Sequence, residues 1–426
     1  MPRSLRVKAE YIPQVKRAVR KNNYVRQRDL AEELGIALAT LSRFLNGRPT
    51  DYLNFYEICD KLSQNWREIA DFRVPENDPP VEFAEAEEPE NQETTATINQ
   101  PGTIARPYLE ERCYHTIDQP GSLLRIKAAK GMGKTVLLEK ILAYARQQQY
   151  KTVNLSFLLL DGSILQDLER FLRWFCRYVS VKLNIPYQAD FWDEGLGSIY
   201  NCTTYFEDCL LATLQRPLVL ALDNIDRIFT EKSVADGFLS MLRSWYDNAQ
   251  TPGIWQKLRL ILANSTAAYL APDINGSPFN VGVEVELPDF TPEEVRQLAQ
   301  QKGLIWQDSQ VISIMDKIGG HPYLLQKAIS SLAQPNTTLE TILRTAATDA
   351  GIYGAHLRGH LQNLQQYPEL GTAMAEVVAA NSPVSIDSIL AFKLHSLGLV
   401  DWEENQVKPR YRLYAEYFRD RLKNTP

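Results

Sequence analysis

The chain has 426 residues, 44% of them hydrophobic, which is enough for two to four domains with substantial cores. A net charge of −6 and a pI near 5.6 argue against a protein built mainly to coat nucleic acid, and the longest apolar stretches are strand-sized, too short to cross a bilayer. The five cysteines (Cys59, Cys113, Cys176, Cys202, Cys209) form no Cys-x-x-Cys pair and sit in apolar settings, as reduced core thiols do; without a leader-like start, the expected location is the cytoplasm.

The average charge hides a polarised N-terminus. Through residue 50 there are eleven Lys and Arg against four acids, a local charge of +7. Ile12, Val15 and Val19 form one helical stripe; Leu30, Ala31 and Leu34 form a second; after Gly35, Leu41, Phe44 and Leu45 form a third. Helix, glycine turn and helix at this spacing predict an all-α helix-turn-helix domain over residues 1–73, closed by a capped helix from Thr50 to Leu62 and by Trp66 and Ile69. The run RQRDLAEELGIALATLSRFLNG is similar to the Xre/Cro class, with Leu38 to Asn46 as recognition helix. It departs from that class at Ala37-Leu38-Ala39, which leaves Thr40, Ser42, Arg43 and Asn46 as polar candidates on the reading face. Arg26, Arg28, Arg43 and Arg48 suit phosphates better than bases, so backbone-dominated DNA contact is expected, with a protein-binding helical domain as the alternative.

Residues 74–103 change character. Val74 to Gln100 carries eight acids, no Lys or Arg and four prolines, the composition of a self-repelling linker. It reads as a tether or, alternatively, as an acidic strip that competes with DNA for the basic domain.

The strongest signal follows, in LLRIKAAKGMGKTVLL from Leu123 to Leu138: an apolar strand, a glycine loop and the start of an amphipathic helix. A bound triphosphate needs backbone N–H groups in a tight loop, a helix N-terminus behind them, a lysine for the β/γ oxygens and a hydroxyl for magnesium. Lys130, Gly131, Met132, Gly133, Lys134, Thr135 and Val136 supply this cradle, with Ala128 where the pattern usually has its first glycine. The alternative is a Gly-rich turn without a ligand. A second apolar strand, LVLALDNID, ends at Asp223, which suits the magnesium shell; such a strand is expected beside the P-loop strand. The next residue is Asn224, whose amide cannot accept a proton, so Asp226 is the substitute base if the turn brings it inward. A third strand, Lys257 to Ala263, ends in Asn264-Ser265-Thr266; Asn264 is a candidate γ-phosphate sensor between the other two motifs, or ordinary turn chemistry. Arg259, inside that strand, is expected to pack its stem at an edge.

From about Tyr108 to about Leu325 the chain resembles the prokaryotic AAA-like ATPases allied to the STAND class of signalling NTPases. The resemblance rests on YLEERCYHTIDQPGSLLRIKAAKGMGKT, FLRWFCRYVSVKLN, NCTTYFEDCLL, LVLALDNID, SPFNVG and GGHPYLLQKAI together. It implies an AAA-type parallel sheet over residues 104–288 and a helical lid over 289–364. In that lid Gly320-His321-Pro322 contacts the nucleotide and reports its state, unless His321 only starts a helix. Asn224 departs from the Asp-Glu usual there.

Thr291-Pro292-Glu293-Glu294 is a helix-cap signature opening the lid. Over residues 365–426, helices at Thr372 to Ala380 and Ile386 to Leu394 and strands at Leu399 to Trp402 and Val407 to Tyr414 read as a winged helix. In STAND-like proteins such a domain packs on the nucleotide site or mediates assembly. His356 and His360, four apart on a helix, are expected to be solvated rather than metal ligands. The fold class is therefore multidomain: an α/β P-loop NTPase with a lid, flanked by helix-turn-helix and winged-helix domains. The expected cofactors are ATP and Mg²⁺, with Thr135 and Asp223 for the metal. The expected partners are DNA or a DNA-bound protein and further copies of the chain, and no membrane. Function reads as a nucleotide switch with slow or no hydrolysis. The alternatives are an active remodelling ATPase, with Asp226 or a neighbour's Arg243, Arg344 or Arg358 completing the site, and a DNA-bound regulator with a structural nucleotide site.

Overall fold

The computed structural model describes residues 4–21, 30–31, 34, 38–48, 50–62, 64, 66–71, 103–266, 281–334 and 337–422. The chain forms two compact units, Met1–Gln92 and Glu93–Pro426, each treated by itself. Arg26, Arg28, Gly35, the acidic linker and most of SPFNVG lie outside the described residues.

The first unit has helices Ile12–Lys21, Leu38–Leu45, Tyr52–Lys61 and Trp66–Ile69 around a core of Val15, Val19, Leu41, Phe44, Phe55 and Ile58. The three apolar stripes therefore face inward as their spacing requires. The unit is not all-α, however. Strand β1 (Ser4–Val7) pairs antiparallel with β2 (Thr50–Asp51) and β3 (Ala70–Asp71), giving the order β2-β1-β3. Leu5 and Val7 alternate inward and are 2% exposed, so the N-terminal segment closes the helical core as a strand.

The second unit is built on a parallel sheet: β4 (Leu123–Ala128), β5 (Lys151–Ser156), β6 (Leu218–Asp223), β7 (Leu258–Ser265) and β8 (Val283–Glu286), in the order β5-β6-β7-β4-β8. The Asp223 strand thus does not lie beside the P-loop strand. β7 is inserted between them, pairing Asp223 with Ala263 on one side and Ala128 with Ser265 on the other. Both faces of the sheet are covered, so β6 is buried throughout and its side chains alternate. Val219, Ala221, Ile261 and Ala263 pack against Leu138, Ile141 and Leu142 of the Lys134–Gln147 helix. Leu220, Leu222, Leu260 and Leu262 face the aromatic layer of Phe171, Phe175, Phe206, Phe238 and Trp245. Truncating one of these rings costs about 3–5 kcal/mol. Arg259 lies on an interior strand rather than at an edge; its Nε donates to the Ile117 carbonyl at 3.2 Å, at the sheet end remote from the P-loop. The Asn201-containing helix runs on as a π-helical turn over Tyr205–Leu211.

The cap signature at Thr291 forms a full capping box with Glu294 at the head of the Pro292–Gln301 helix. The lid helices and the C-terminal elements share one core that includes Leu298, Ile314, Leu325, Leu357, Met374, Leu394, Val407 and Phe418. The boundary expected at residues 364/365 runs through that core. Within the C-terminal elements, helices Pro368–Ala379 and Ser388–Ser396 precede a hairpin of β9 (Val400–Glu403) and β10 (Gln406–Pro409). The second strand stops at Pro409, because Arg412–Arg421 is a helix rather than a continuation of the strand. All five cysteines are buried and unbridged. Among the described residues no helix is long and apolar enough to cross a membrane.

Candidate nucleotide site

The site gathers at the carboxyl ends of β4, β6 and β7, where a parallel sheet presents helix N-termini and open strand ends. Gly131 and Gly133 take left-handed conformations (φ +84° and +96°), which places the loop N–H groups around the start of the Lys134–Gln147 helix. Met132 turns inward against the sheet core, while Val136 stays exposed. Lys134 folds onto its own loop: Nζ donates to the carbonyls of Ala128 at 2.8 Å and Ala129 at 2.9 Å. Burial lowers its pKa, opposed by Asp226 and Asp223. Lys130 is exposed at the loop mouth.

Thr135 Oγ1 donates to Asp223 Oδ2 at 3.3 Å. Asp223 is 5% exposed, and its pKa is raised, chiefly by burial. A hydroxyl and a desolvated carboxylate side by side suit a hard divalent cation, which would supply the charge the carboxylate lacks. Among the described residues there is no cluster of three or more His, Cys, Asp or Glu that could hold a metal; a cation here would take these two oxygens together with phosphate and water.

Asn224 and Asp226 diverge. Asn224 is left-handed (φ +56°), a conformation Asn tolerates and Glu does not favour, and its Nδ2 points to Ser156 Oγ at 3.4 Å on the neighbouring strand. Asp226 is the residue brought inward. Its Oδ1 accepts from the Ser265 N–H at 3.0 Å, and it is the leading favourable charge acting on Lys134. Asn264 is 8% exposed and its Nδ2 donates to the Ser265 carbonyl at 3.4 Å, so it sits between the other two motifs as the strand order requires.

The lid reaches the loop directly. The Tyr323 N–H donates to the Gly131 carbonyl at 3.2 Å, and a Cβ at Gly131 would lie 2.9 Å from His321 Cε1. His321 does start a helix: its Nδ1 accepts from the Leu324 N–H at 3.5 Å, with Pro322 in the first turn. It also abuts the P-loop, so both roles meet in one residue. The C-terminal elements close the same side. A Cβ at Gly398 would lie 2.9 Å from the Ala129 Cβ, Thr266 Oγ1 donates to the Ser396 carbonyl at 2.6 Å, and Asp289 accepts from Arg410 Nη2 at 2.9 Å and Tyr411 OH at 2.8 Å.

His356 and His360 are partly buried rather than solvated. They pack in series behind His321, with ring centroids 5.6 Å apart for His321–His356 and 4.6 Å for His356–His360, and His356 Nε2 is 2.8 Å from the Tyr414 hydroxyl. An i, i+4 spacing puts both rings on one helix face, and the C-terminal helix covers that face. Arg106, which the sequence reading did not single out, has its guanidinium 4.4 Å over the Phe290 ring, with both terminal nitrogens buried without a hydrogen-bond partner among the described residues. The signal available for it was an arginine just before Pro107 at a helix start. Of the arginines considered for action in trans, Arg358 donates to the Asp349 carbonyl and Arg243 pairs with Asp247 in its own helix; Arg344 lies in the last turn of the Leu339–Thr345 helix.

In the first unit, Thr40, Ser42, Arg43 and Asn46 lie on or next to the Leu38–Leu45 helix, with Arg43, Asn46 and Arg48 exposed. Asn46 is engaged internally: its Oδ1 accepts from Lys16 Nζ at 2.9 Å and its Nδ2 donates to the Ser42 carbonyl at 2.9 Å.

A comparison with curated protein sequences finds no match. Among solved structures, the chain is similar to the Walker-type ATPase of Pyrococcus abyssi at 13% identity and a TM-score of 0.55, covering 74% of this chain and 96% of that one. Weaker similarity extends to the Aeropyrum pernix ORC2 protein solved as ADPNP–ADP complexes, at 14% identity and a TM-score of 0.47 over 76% of this chain and 94% of that one. A STAND protein with a tetratricopeptide repeat sensor from Pyrococcus horikoshii matches at 15% identity and a TM-score of 0.33, over 76% of this chain and 44% of that one. The profile of the AAA-like domain matches residues 91–420, three quarters of the sequence, and the chain belongs to that AAA-like family.

Proposed function

We propose that the protein is an ATP- and Mg²⁺-binding switch of STAND type with slow or no hydrolysis. In this reading nucleotide state governs how the lid and C-terminal elements sit on the P-loop, and through them assembly and contacts with DNA or a DNA-bound partner. The observation that carries it is the closure of the Gly131 loop by Tyr323 and His321 on one side and of Ala129 by Gly398 on the other. A phosphate chain entering this loop would draw Lys134 off the Ala128 and Ala129 carbonyls, on the same loop that Tyr323, His321 and Gly398 rest against, so binding energy is available to shift the lid. Lys134, now held by two loop carbonyls, would turn to the β/γ oxygens, while Thr135 and Asp223 would hold Mg²⁺, which supplies charge neutralisation on the phosphates. Asn224 cannot act as a base, which supports slow turnover. DNA contact through the first unit rests on its basic charge and exposed Arg43 and Arg48.

A working ATPase is the second reading, favoured by the inward carboxylate of Asp226. Steady-state phosphate release separates the two. The wild type, Asp226→Asn, Asn224→Asp and Lys134→Ala are compared; Asp suits the left-handed position 224 better than Glu. Release near background in the wild type supports the switch. Ready release that is lost in both Asp226→Asn and Lys134→Ala overturns it in favour of the ATPase.

A further inference from the structure

The three histidines behind the P-loop are not needed to hold phosphate, yet they form the densest group of titratable side chains near it. His321 touches the loop at Gly131, His356 stacks behind it, His360 lies behind His356, and Tyr414 of the C-terminal helix contacts both rear rings. The set does not suit a metal, because Tyr414 takes His356 Nε2 and the Leu324 N–H takes His321 Nδ1. It suits a proton. Nδ1 of His360 is buried with no hydrogen-bond partner among the described residues.

We infer that nucleotide binding at the P-loop draws one proton onto the His356–His360 pair behind His321, so that affinity is coupled to pH. The inference rests on the nucleotide-binding reading above. His321 spends Nδ1 as an acceptor in capping its helix, so its own hydrogen resides on Nε2 and the added proton belongs to the pair behind it. Without an anion all three rings are neutral. The charged groups acting on them are Lys130 of the loop, Lys327 of the Pro322–Leu332 helix and Arg410 after the hairpin, all cationic; the phenols of Tyr323, Tyr411 and Tyr414 lie against the rings, and the one carboxylate behind those phenols among the described residues, Asp289, is paired with Arg410 and the Tyr411 hydroxyl. Burial first, then these cations and the other rings, push His321 down to about 3, His356 to about 4 and His360 to about 3. A nucleotide polyanion seated on Gly131 and Lys134 opposes those cations and favours the charged form, while burial still holds the rings below their ordinary range. One proton is the limit, since a second would set like charges on rings 4.6 Å apart.

The test is titration calorimetry of the full chain with MgADP at a series of pH values from about 7 down to about 5, in buffers of differing ionisation enthalpy. The slope of observed heat against buffer enthalpy counts the protons taken up. The expected result is an uptake of a fraction of a proton that grows as pH falls from about 7 towards 5 in the wild type, and is lost in His360→Gln and His356→Gln while binding persists. Binding with no uptake, or with the same uptake in both variants, overturns the coupling and leaves the nucleotide reading intact. No binding by a folded wild type overturns both. Should the variants unfold, the wild-type affinity decides: a rise as pH falls from about 7 towards 5 supports the coupling, and a flat profile refutes it.

Discussion

The two sides of the nucleotide cleft are built on opposite principles. The sheet side is short-range and motif-bound: Gly131, Gly133, Lys134 and Thr135 follow one another along the chain, and Asp223 arrives at the end of a fully buried strand. The lid side is assembled from distant segments, with His321, His356, Gly398 and Tyr414 meeting only because the lid and C-terminal elements share one apolar core. One side carries charges that suit phosphate, and the other carries histidine rings and close backbone contacts against the loop, which the proposed switch would use to respond. Chemistry and response are thus separable, and substitutions should affect one without the other.

The largest effect is expected at the sheet side. Lys134→Ala should lower nucleotide affinity by at least about a hundredfold in calorimetry while leaving the melting temperature of the empty protein nearly unchanged, because the two loop carbonyls and the Asp226 and Asp223 charges that hold the amine are offset by the cost of burying it. Retained micromolar affinity would remove the P-loop role. On the lid side, Gly320→Ala should act through stability first. Its Cβ would lie 2.1 Å from the Phe290 carbonyl oxygen, in a stretch where the Phe290 N–H also donates to the Gly320 carbonyl at 2.7 Å. A loss of about 1–3 kcal/mol in urea unfolding is expected, with nucleotide affinity reduced as a consequence. Unchanged stability would mean that the lid seam is looser than its contacts imply.

The histidines sharpen the comparison through pH. Their folded-state pKa values lie below the ordinary 6.5, so below about 6.5 the unfolded chain binds more protons than the folded one. Stability is therefore present at neutral pH and is lost as pH falls from about 6.5 towards 3. For one fully buried ring the loss by about pH 5 approaches 2 kcal/mol, and partial exposure of His356 and His360 reduces it. Thermal melts of the empty protein should fall across this range, and His356→Gln should flatten the profile; an unaltered profile would separate the rings from acid sensitivity. The smallest effect belongs to the other unit. Arg43→Ala should weaken DNA binding uniformly across sequences and reduce the salt slope by about one. Binding unchanged at every salt concentration would assign that unit to protein contact.

Much of this was legible beforehand because local chemistry was enough. The glycine loop, the buried strand ending at Asp223, the Thr291 capping box and the three apolar stripes of the first unit all follow from spacing and burial over a few residues. The departures come where neighbours in space decide. Leu5 and Val7 became a strand because Thr50-Asp51 and Ala70-Asp71 offered edges to pair with. Asn224 turned away because its left-handed backbone aims it at Ser156, which left Asp226 as the inward carboxylate.

The sequence by itself therefore determined the chemical inventory of the cleft: a P-loop, its lysine, a hydroxyl and a carboxylate that would suit a divalent cation, and no glutamate after Asp223. Only the tertiary structure decided the strand order that inserts β7 between β4 and β6, and the gathering of three histidines against the P-loop. The physical reason is range. Loop conformation and strand burial are written in consecutive residues, whereas register between strands and the meeting of rings 35 and 39 residues apart depend on how separate apolar faces find a common core.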